Sequence, residues 1–347
     1  TRADISREIA PIYNEEMKIA DIPTVFHEIE TNGIGYLDLM FDLSDVPEKD
    51  LPIVGLLQAV LGIIDTEHYE YGELFNEINR HTGGIGTSLE LYPDVTKVKE
   101  KEFKATFEIK GKALYGQIPF AIRMMKEILT ASKLDDEKRL KEILSMTKTR
   151  LQDRFLSAGH SAAALRAMSY KSPISKFKDT TNGIEYYQNI REMEEHFDEK
   201  KEEIISGLKA LSELLFRKGN VMISYTASRE GLAVLEEEIG SLKEALYPER
   251  TPESRCILHC EKKNEGFKTS SKVQFAAKAG NFIDAGEEYN GALQILKVIM
   301  SYEYLWINIR VKGGAYGCMS NFNRIGEGYF VSYRDPNLGR TLEIYDG

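Results

Sequence analysis

Ile309-Arg310-Val311-Lys312-Gly313-Gly314-Ala315-Tyr316-Gly317 decides the reading of this chain, because its outline occurs once before, as Ile78-Asn79-Arg80-His81-Thr82-Gly83-Gly84-Ile85-Gly86. Each copy ends an apolar, helix-like run with a Gly-Gly pair and then opens an alternating, strand-like run. Leu74-Phe75 stands before the first and Leu305-Trp306 before the second. The two glycine pairs lie 230 residues apart (313 against 83). That is far beyond a solenoid period, so the pattern predicts a duplicated domain. Only the second copy carries Arg310 and Tyr316 around its glycines, and this asymmetry points to a site.

Working outward, a charged, helix-like lead (Ser6 to Ile19) reaches the break Asp21-Ile22-Pro23. Thr24 to Ile29 and Ile34 to Leu43 alternate as strands do, and Asn32-Gly33 between them predicts a hairpin turn. Asp50 is placed to cap the apolar helix Leu51 to Ile64, and Tyr69 to Arg80 reads as a second helix that Gly83-Gly84 terminates. Gly86 to Leu91 and Glu102 to Lys110 read as strands. Leu140, Leu144, Thr147, Leu151 and Phe155 mark one helical stripe, and Ile204, Leu208, Leu211 and Leu215 another within Glu185 to Arg217. Val221 to Thr226 is a short strand and Arg229 to Tyr247 a closing helix.

Pro248 to Glu253, polar with two prolines, is the expected linker. The second copy then offers strands at Ser254 to His259 and Ser271 to Ala279, helices at Tyr289 to Met300 and Tyr302 to Arg310, and strands at Ala315 to Phe322 and Gly328 to Ser332. The shared order predicts an α+β fold of duplicated domains, each an antiparallel sheet with helices on one face. The expected division is a helical lead over 1–20, a complete repeat over 21–247, a linker over 248–253 and a partial repeat over 254–347. The later helices of the first copy find no counterpart before Gly347, so the chain reads as an excised piece of something longer.

At 347 residues the chain exceeds one ordinary core. A net charge of -10 without any Lys/Arg-rich block argues against a nucleic-acid partner. The longest apolar run, Leu51 to Ile64, is broken by Pro52, Gly55, Gln58 and Gly62 and is too short to cross a bilayer. Cys256, Cys260 and Cys318 are too few and too uneven for a disulfide framework, which suggests a reducing, cytoplasmic setting. Cys256-Ile257-Leu258-His259-Cys260 has the look of a metal cluster, but a strand with Cys256, Leu258 and Cys260 on one face accounts for it.

Arg310, in a last helical turn, and Tyr316, at a strand start, project from a corner that Gly313 and Gly314 allow to turn sharply. A guanidinium and a phenol together supply donors for a carbonyl or its oxyanion. A capping Arg and a sheet-face Tyr would also arise without function. The segment Arg310 to Gly317 resembles the Arg/Tyr segment in the C-terminal half of the insulinase (pitrilysin) family of inverted-zincin metallopeptidases, most closely its presequence-protease-like branch. Ser271-Lys272-Val273-Gln274-Phe275 and Gly159-His160-Ser161-Ala162-Ala163 resemble stretches of the same branch.

The resemblance implies four related α+β domains in two halves closing a chamber around a peptide, this chain being the third domain and the first part of the fourth. It implies a catalytic zinc in the N-terminal catalytic half of the same polypeptide, held by His-x-x-Glu-His and a distal Glu. Arg310 and Tyr316 would then reach across to bind the substrate carbonyl and the oxyanion, on a loop shaped by Gly313 and Gly314. His-x-x-Glu-His occurs nowhere in this chain. That motif supplies two ligands and the general base, so this piece holds no metal of its own and should be inactive alone. Glu192-Met193-Glu194-Glu195-His196 is a near miss in a charged helical segment.

By repeat position Leu51 to Ile64 answers to the zinc helix, and it is apolar. Gly84-x-Gly86 lacks a third fingerprint glycine, and His160-Ser161 lies outside any nucleophile elbow. The expectation is thus the non-zinc, substrate-clamping C-terminal half of a zinc-dependent metalloendopeptidase that degrades peptides. Its partners would be the N-terminal half and peptide substrates, with neither nucleic acid nor membrane, and self-association of the fragment would follow from its uncovered faces. The rival is a family-like scaffold or partner subunit that has lost catalysis.

Overall fold

The computed structural model describes residues 13–252 and 254–347. β1 (Asn14–Ile19), β2 (Ile22–Glu28) and β3 (Ile34–Asp42) lead into α1 (Leu51–Val60), α2 (Tyr71–His81), β4 (Ile85–Pro93) and β5 (Phe103–Leu114). Five helices follow: α3 (Ile118–Thr130), α4 (Glu137–Ser169), α5 (Pro173–Asn182), α6 (Ile184–Glu195) and α7 (Phe197–Leu215). β6 (Val221–Ala227) and α8 (Arg229–Ala245) complete the first unit. The second contains β7 (Ala277–Asn281), α9 (Ala292–Ile299), a π-helical segment (Met300–Val311), β8 (Gly317–Phe322), β9 (Glu327–Tyr333) and α10 (Leu338–Ile344).

The first sheet runs β1-β2-β6-β3-β5-β4, antiparallel except between β2 and β6. Period-2 alternation sends Leu37, Leu39, Phe41, Phe107, Ile109, Ile223 and Tyr225 into the core. Phe216, at the end of α7, meets Phe41 and Phe107 edge-on at 5.0 and 5.4 Å. Each such buried ring contributes about 1.5–3 kcal/mol over an exposed one. The helix α1 is buried along most of its length, and Gly55 lets it approach α5 and α6. A Cβ there would overlap the Thr181 carbonyl and lie 2.6 Å from the Tyr186 ring.

The fold is mixed α and β with antiparallel-dominated sheets, as the pattern predicts, but several local expectations fail. Asn14–Ile19 of the supposed helical lead is a strand paired with β2, because Met17 and Ile19 alternate with charged residues that face water; the lead before Tyr13 lies outside the described residues. Asn32 and Gly33 do adopt the positive φ of a hairpin turn (52° and 79°). Yet β6 lies between β2 and β3. Buried Val221, Ile223, Tyr225 and Ala227 gain more from that central slot than from an edge, and residues 29–33 are long enough to bridge it. Asp50 makes no side-chain cap. Ser254 to His259 is irregular; it is tied down by Cys256 N–H to Ser44 O (2.6 Å), Ser254 Oγ to Asp45 O (2.8 Å) and His259 to Glu48. The two helices expected between Tyr289 and Arg310 are one continuous run, α9 passing directly into the π-helical segment.

The second sheet runs β7-β9-β8, all antiparallel. Its order and sense match β3-β5-β4, with the Gly-Gly corner ahead of β8 as Gly83-Gly84 is ahead of β4. Gly84 and Gly314 both have positive φ (107° and 80°). Gly83 N–H bonds to Lys112 O in β5 (2.7 Å), and Tyr316 N–H to Tyr333 O in β9 (3.0 Å). The strand expected at Ser254 to His259, ahead of β7 in the second copy, is not formed. α10 follows β9 as α3 follows β5, so one later helix does have a counterpart. The second sheet rests on α4 through its non-helical break at Ala158 (φ -129°, ψ 35°).

Candidate functional site at the Arg310 to Tyr316 corner

Leu305 and Ile309 are fully buried and anchor the π-helical segment against Ala276, Ala315 and Tyr345. The wider π turn shows in Lys312 N–H bonding to Ile307 O, five residues back (3.0 Å). Gly314 N–H bonds to Arg310 O (2.9 Å), and Ala315 N–H to Ile309 O (3.1 Å), so the chain folds back under its own helix end. Gly313 sits tightly: a Cβ would lie 2.5 Å from Ile309 O, and its carbonyl accepts from Asn337 Nδ2. Both glycines are therefore demanded by the corner, Gly313 by space and Gly314 by φ.

This turn brings Arg310 and Tyr316 together. The Arg310 guanidinium donates to the Tyr316 carbonyl and lies over two rings, 4.3 Å from the Trp306 centroid and 5.3 Å from that of Tyr316. Such cation–π contacts are worth about 0.5–1 kcal/mol each when exposed. Arg310 thus clips the helix end to the strand start, and among the described residues only one of its donors is used in doing so. Tyr316 is 63% exposed, and its ring meets that of Tyr333 at 5.7 Å, edge to face. The pair can present a cationic fork and a phenol to one ligand carbonyl.

The sequence reading missed Trp306, Tyr333, His160 and Phe275. His160 stacks edge-on against Tyr333 (4.8 Å), and Phe275 lies 5.7 Å from Tyr333. The stretches Gly159 to Ala163 and Ser271 to Phe275 thereby converge on the corner, since Gly159 leaves room for the Phe275 ring 2.5 Å from where its Cβ would be. The only signal for this was that both stretches resembled the same family.

The rival sites disperse. The Cys256 thiol is half-buried, and burial pushes its pKa up to about 11, away from the thiolate a metal needs. Cys260 is exposed, and His259 Nδ1 pairs with Glu48 at 2.7 Å. No group of three or more His, Cys, Asp or Glu able to hold a metal occurs among the described residues. Zinc therefore does not fit the described residues of this chain. Glu192, Glu194 and Glu195 pair with Lys200, Lys148 and Arg191 on a charged face of α6. Among the described residues no helix is long and apolar enough to cross a membrane.

The family model described as peptidase M16 (subfamily C) associated matches residues 1–193, and the one described as PreP C-terminal domain matches residues 264–347. Protein HypA of Clostridium perfringens is 38% identical over 99% of this chain and 35% of its own length. Presequence protease 1, chloroplastic/mitochondrial, of Arabidopsis thaliana is 28% identical over 99% of this chain and 32% of its own. The chain thus spans about a third of the curated relatives it matches. Among solved structures, a conserved protein from Enterococcus faecalis V583 superposes with a TM-score of 0.62 at 14% identity, covering 97% of this chain and 79% of that one. A peptidase M16 inactive domain from Pseudomonas fluorescens superposes at 0.55 and 13%, with the same coverages. These two likenesses concern the fold.

Proposed function

The chain belongs to the family associated with subfamily C of the M16 peptidases, and from that membership we propose that it is the non-zinc, substrate-clamping C-terminal half of a zinc-dependent metalloendopeptidase that degrades peptides. Its partner is the N-terminal half of the same polypeptide, where the metal is bound. The observation that carries the reading is the pairing of Arg310 with Tyr316, since the first corner keeps an arginine at the equivalent position but has glycine in place of the tyrosine. At the equivalent first corner the residues are Arg80 and Gly86, and Arg80 pairs with Glu77 on its own helix at 2.6 Å.

Peptide-bond hydrolysis builds negative charge on the former carbonyl oxygen. A phenol that donates to that oxygen mainly as charge develops lowers the barrier without tightening the ground state. Arg310 binds substrate backbone carbonyls in both states through its unused donors. Gly313 and Gly314 hold the two side chains on one rim. The three cysteines are free thiols, compatible with the reducing, cytoplasmic setting that this reading assumes.

The test is made in the complete polypeptide. Tyr316→Phe keeps the ring and removes the donor, and it should lower kcat by about 10²- to 10³-fold with little change in KM. Arg310→Ala should damage both parameters. Wild-type turnover in Tyr316→Phe, with chemistry limiting, would remove Tyr316 from the mechanism.

A further inference from the structure

Tyr316 has its backbone fixed on both sides, but its ring is mostly exposed, and an exposed ring samples several χ1 wells. A donor aimed at a developing oxyanion has to be held in one of them, since a displacement of about 1 Å can cost as much as 10²-fold in rate. Among the described residues, a guanidinium and an aromatic ring meet the Tyr316 ring. Arg310 lies over it at 5.3 Å, and the Tyr333 ring meets it at 5.7 Å with the planes 74° apart. Tyr333 ends β9, where a strand terminus alone would leave its side chain loose.

Tyr333 is instead gripped from α4, an element of the first unit. His160 contacts it edge-on at 4.8 Å, Phe275 flanks it at 5.7 Å, and its hydroxyl donates to Ser157 O at 3.4 Å. His160 lies two residues past the break in α4 at Ala158 and meets Tyr333 of the second sheet. The imidazole contacts Tyr333 as a ring, and its Nε2 is hydrogen-bonded with Ser161 Oγ, the next residue on α4, at 3.3 Å. Its Nδ1 is buried with no partner among the described residues, and burial lowers its pKa, which favours the neutral form.

We propose that Tyr333 and His160 are positioning residues for Tyr316, with His160 acting through Tyr333 from across the boundary between the two sheets. This rests on the reading of Tyr316 as a donor to the reacting carbonyl. Edge-to-face contacts of this kind hold a ring through the match of its positive edge to a negative face. The site is then assembled only when the second sheet is seated on α4.

The experiment measures kcat and KM in the complete polypeptide for Tyr333→Leu, Tyr333→Phe, His160→Ala and His160→Phe, with Tyr333→Leu repeated in a Tyr316→Phe background. Tyr333→Leu should lower kcat about tenfold with KM within about twofold, and Tyr333→Phe should restore it. His160→Ala should lower kcat by about three- to tenfold and His160→Phe should recover most of it, because the ring is what matters. In the Tyr316→Phe background Tyr333→Leu should cost nothing further, as expected for residues acting as a unit. Equal losses in both backgrounds, or a loss carried by KM or by a lower melting temperature alone, would overturn the proposal and leave Tyr333 a packing residue. So would an unchanged kcat in Tyr333→Leu while Tyr316→Phe is impaired. Full turnover in Tyr316→Phe would instead bring down the functional reading, and the positioning role with it.

Discussion

Gly313→Ala should be the most damaging of three similar substitutions at the two glycine corners. Its Cβ would sit 2.5 Å from Ile309 O and 3.1 Å from Asn308 O. A carbon rarely approaches a carbonyl oxygen closer than about 3.3 Å, so backbone has to move by roughly 0.8 Å. Both oxygens belong to the last π turn, and Asn337 holds the Gly313 carbonyl from the other side. Overpacking against backbone costs about 1–3 kcal/mol, and the stiffer unfolded chain returns about 0.4–1 kcal/mol. The net loss is about 1–2 kcal/mol. Gly314→Ala meets nothing closer than Pro336 Cγ at 3.7 Å but keeps φ at +80°, a cost of about 1 kcal/mol. At Gly83 the three atoms nearest the added Cβ are Cε, Cγ and Cδ of Lys112, at 2.8, 2.8 and 3.2 Å, all in one flexible side chain. That chain swings out, so Gly83→Ala should be neutral or slightly stabilising. Urea unfolding read by Trp306, the single tryptophan, reports on the second corner. Gly313→Ala should lower that midpoint by roughly 0.5–1 M, and circular dichroism should show no loss for Gly83→Ala. An unchanged midpoint for Gly313→Ala, or an equal loss at Gly83, would refute the claim that the second corner is sterically locked.

The purified chain should bind no stoichiometric zinc; metal analysis finding one tight equivalent, lost on mutating Cys256 or Cys260, would contradict the assignment of the metal to the other half. The outer face of α9 and the π-helical segment exposes Ile295 (64%), Val298 (55%), Ile299 (51%) and Tyr302 (65%). Apolar faces of this kind drive association, so sedimentation should show concentration-dependent oligomers that Ile295→Lys with Val298→Glu suppresses, and a monomer at high concentration would count against it. Burial, together with the neighbouring Glu108, pushes the Asp38 carboxyl up to about 7. The folded state then holds a proton that the unfolded state releases, so this group's contribution to stability falls as pH rises from about 4 through 7. Asp38→Asn should lessen that fall by something under about 1.4 kcal/mol per pH unit, discounted because the side chain is 22% exposed. Parallel stability–pH curves for the two proteins would contradict it.

Local chemistry made much of this protein legible in its sequence. Gly84, Gly313 and Gly314 mark the corners because only glycine tolerates what those turns require, and the alternation in β3, β5 and β6 marks buried faces because side chains in a strand point to opposite sides. The stripe from Leu140 to Phe155 marks α4 for the same kind of reason. The pairing of Arg310 with Tyr316 was readable too, being set by a turn of a few residues. Long-range choices were not. Asn32-Gly33 has the conformation of a hairpin turn, yet whether β2 and β3 pair depends on β6, some 180 residues later (Val221 against Phe41). The π register of Met300–Val311 escaped a reading based on 3.6 residues per turn, because the buried pair Leu305 and Ile309, four residues apart, fits an α-helix as well. The grip of His160 on Tyr333 arises only when the second sheet docks on the break in α4, a contact between residues that no sequence period relates.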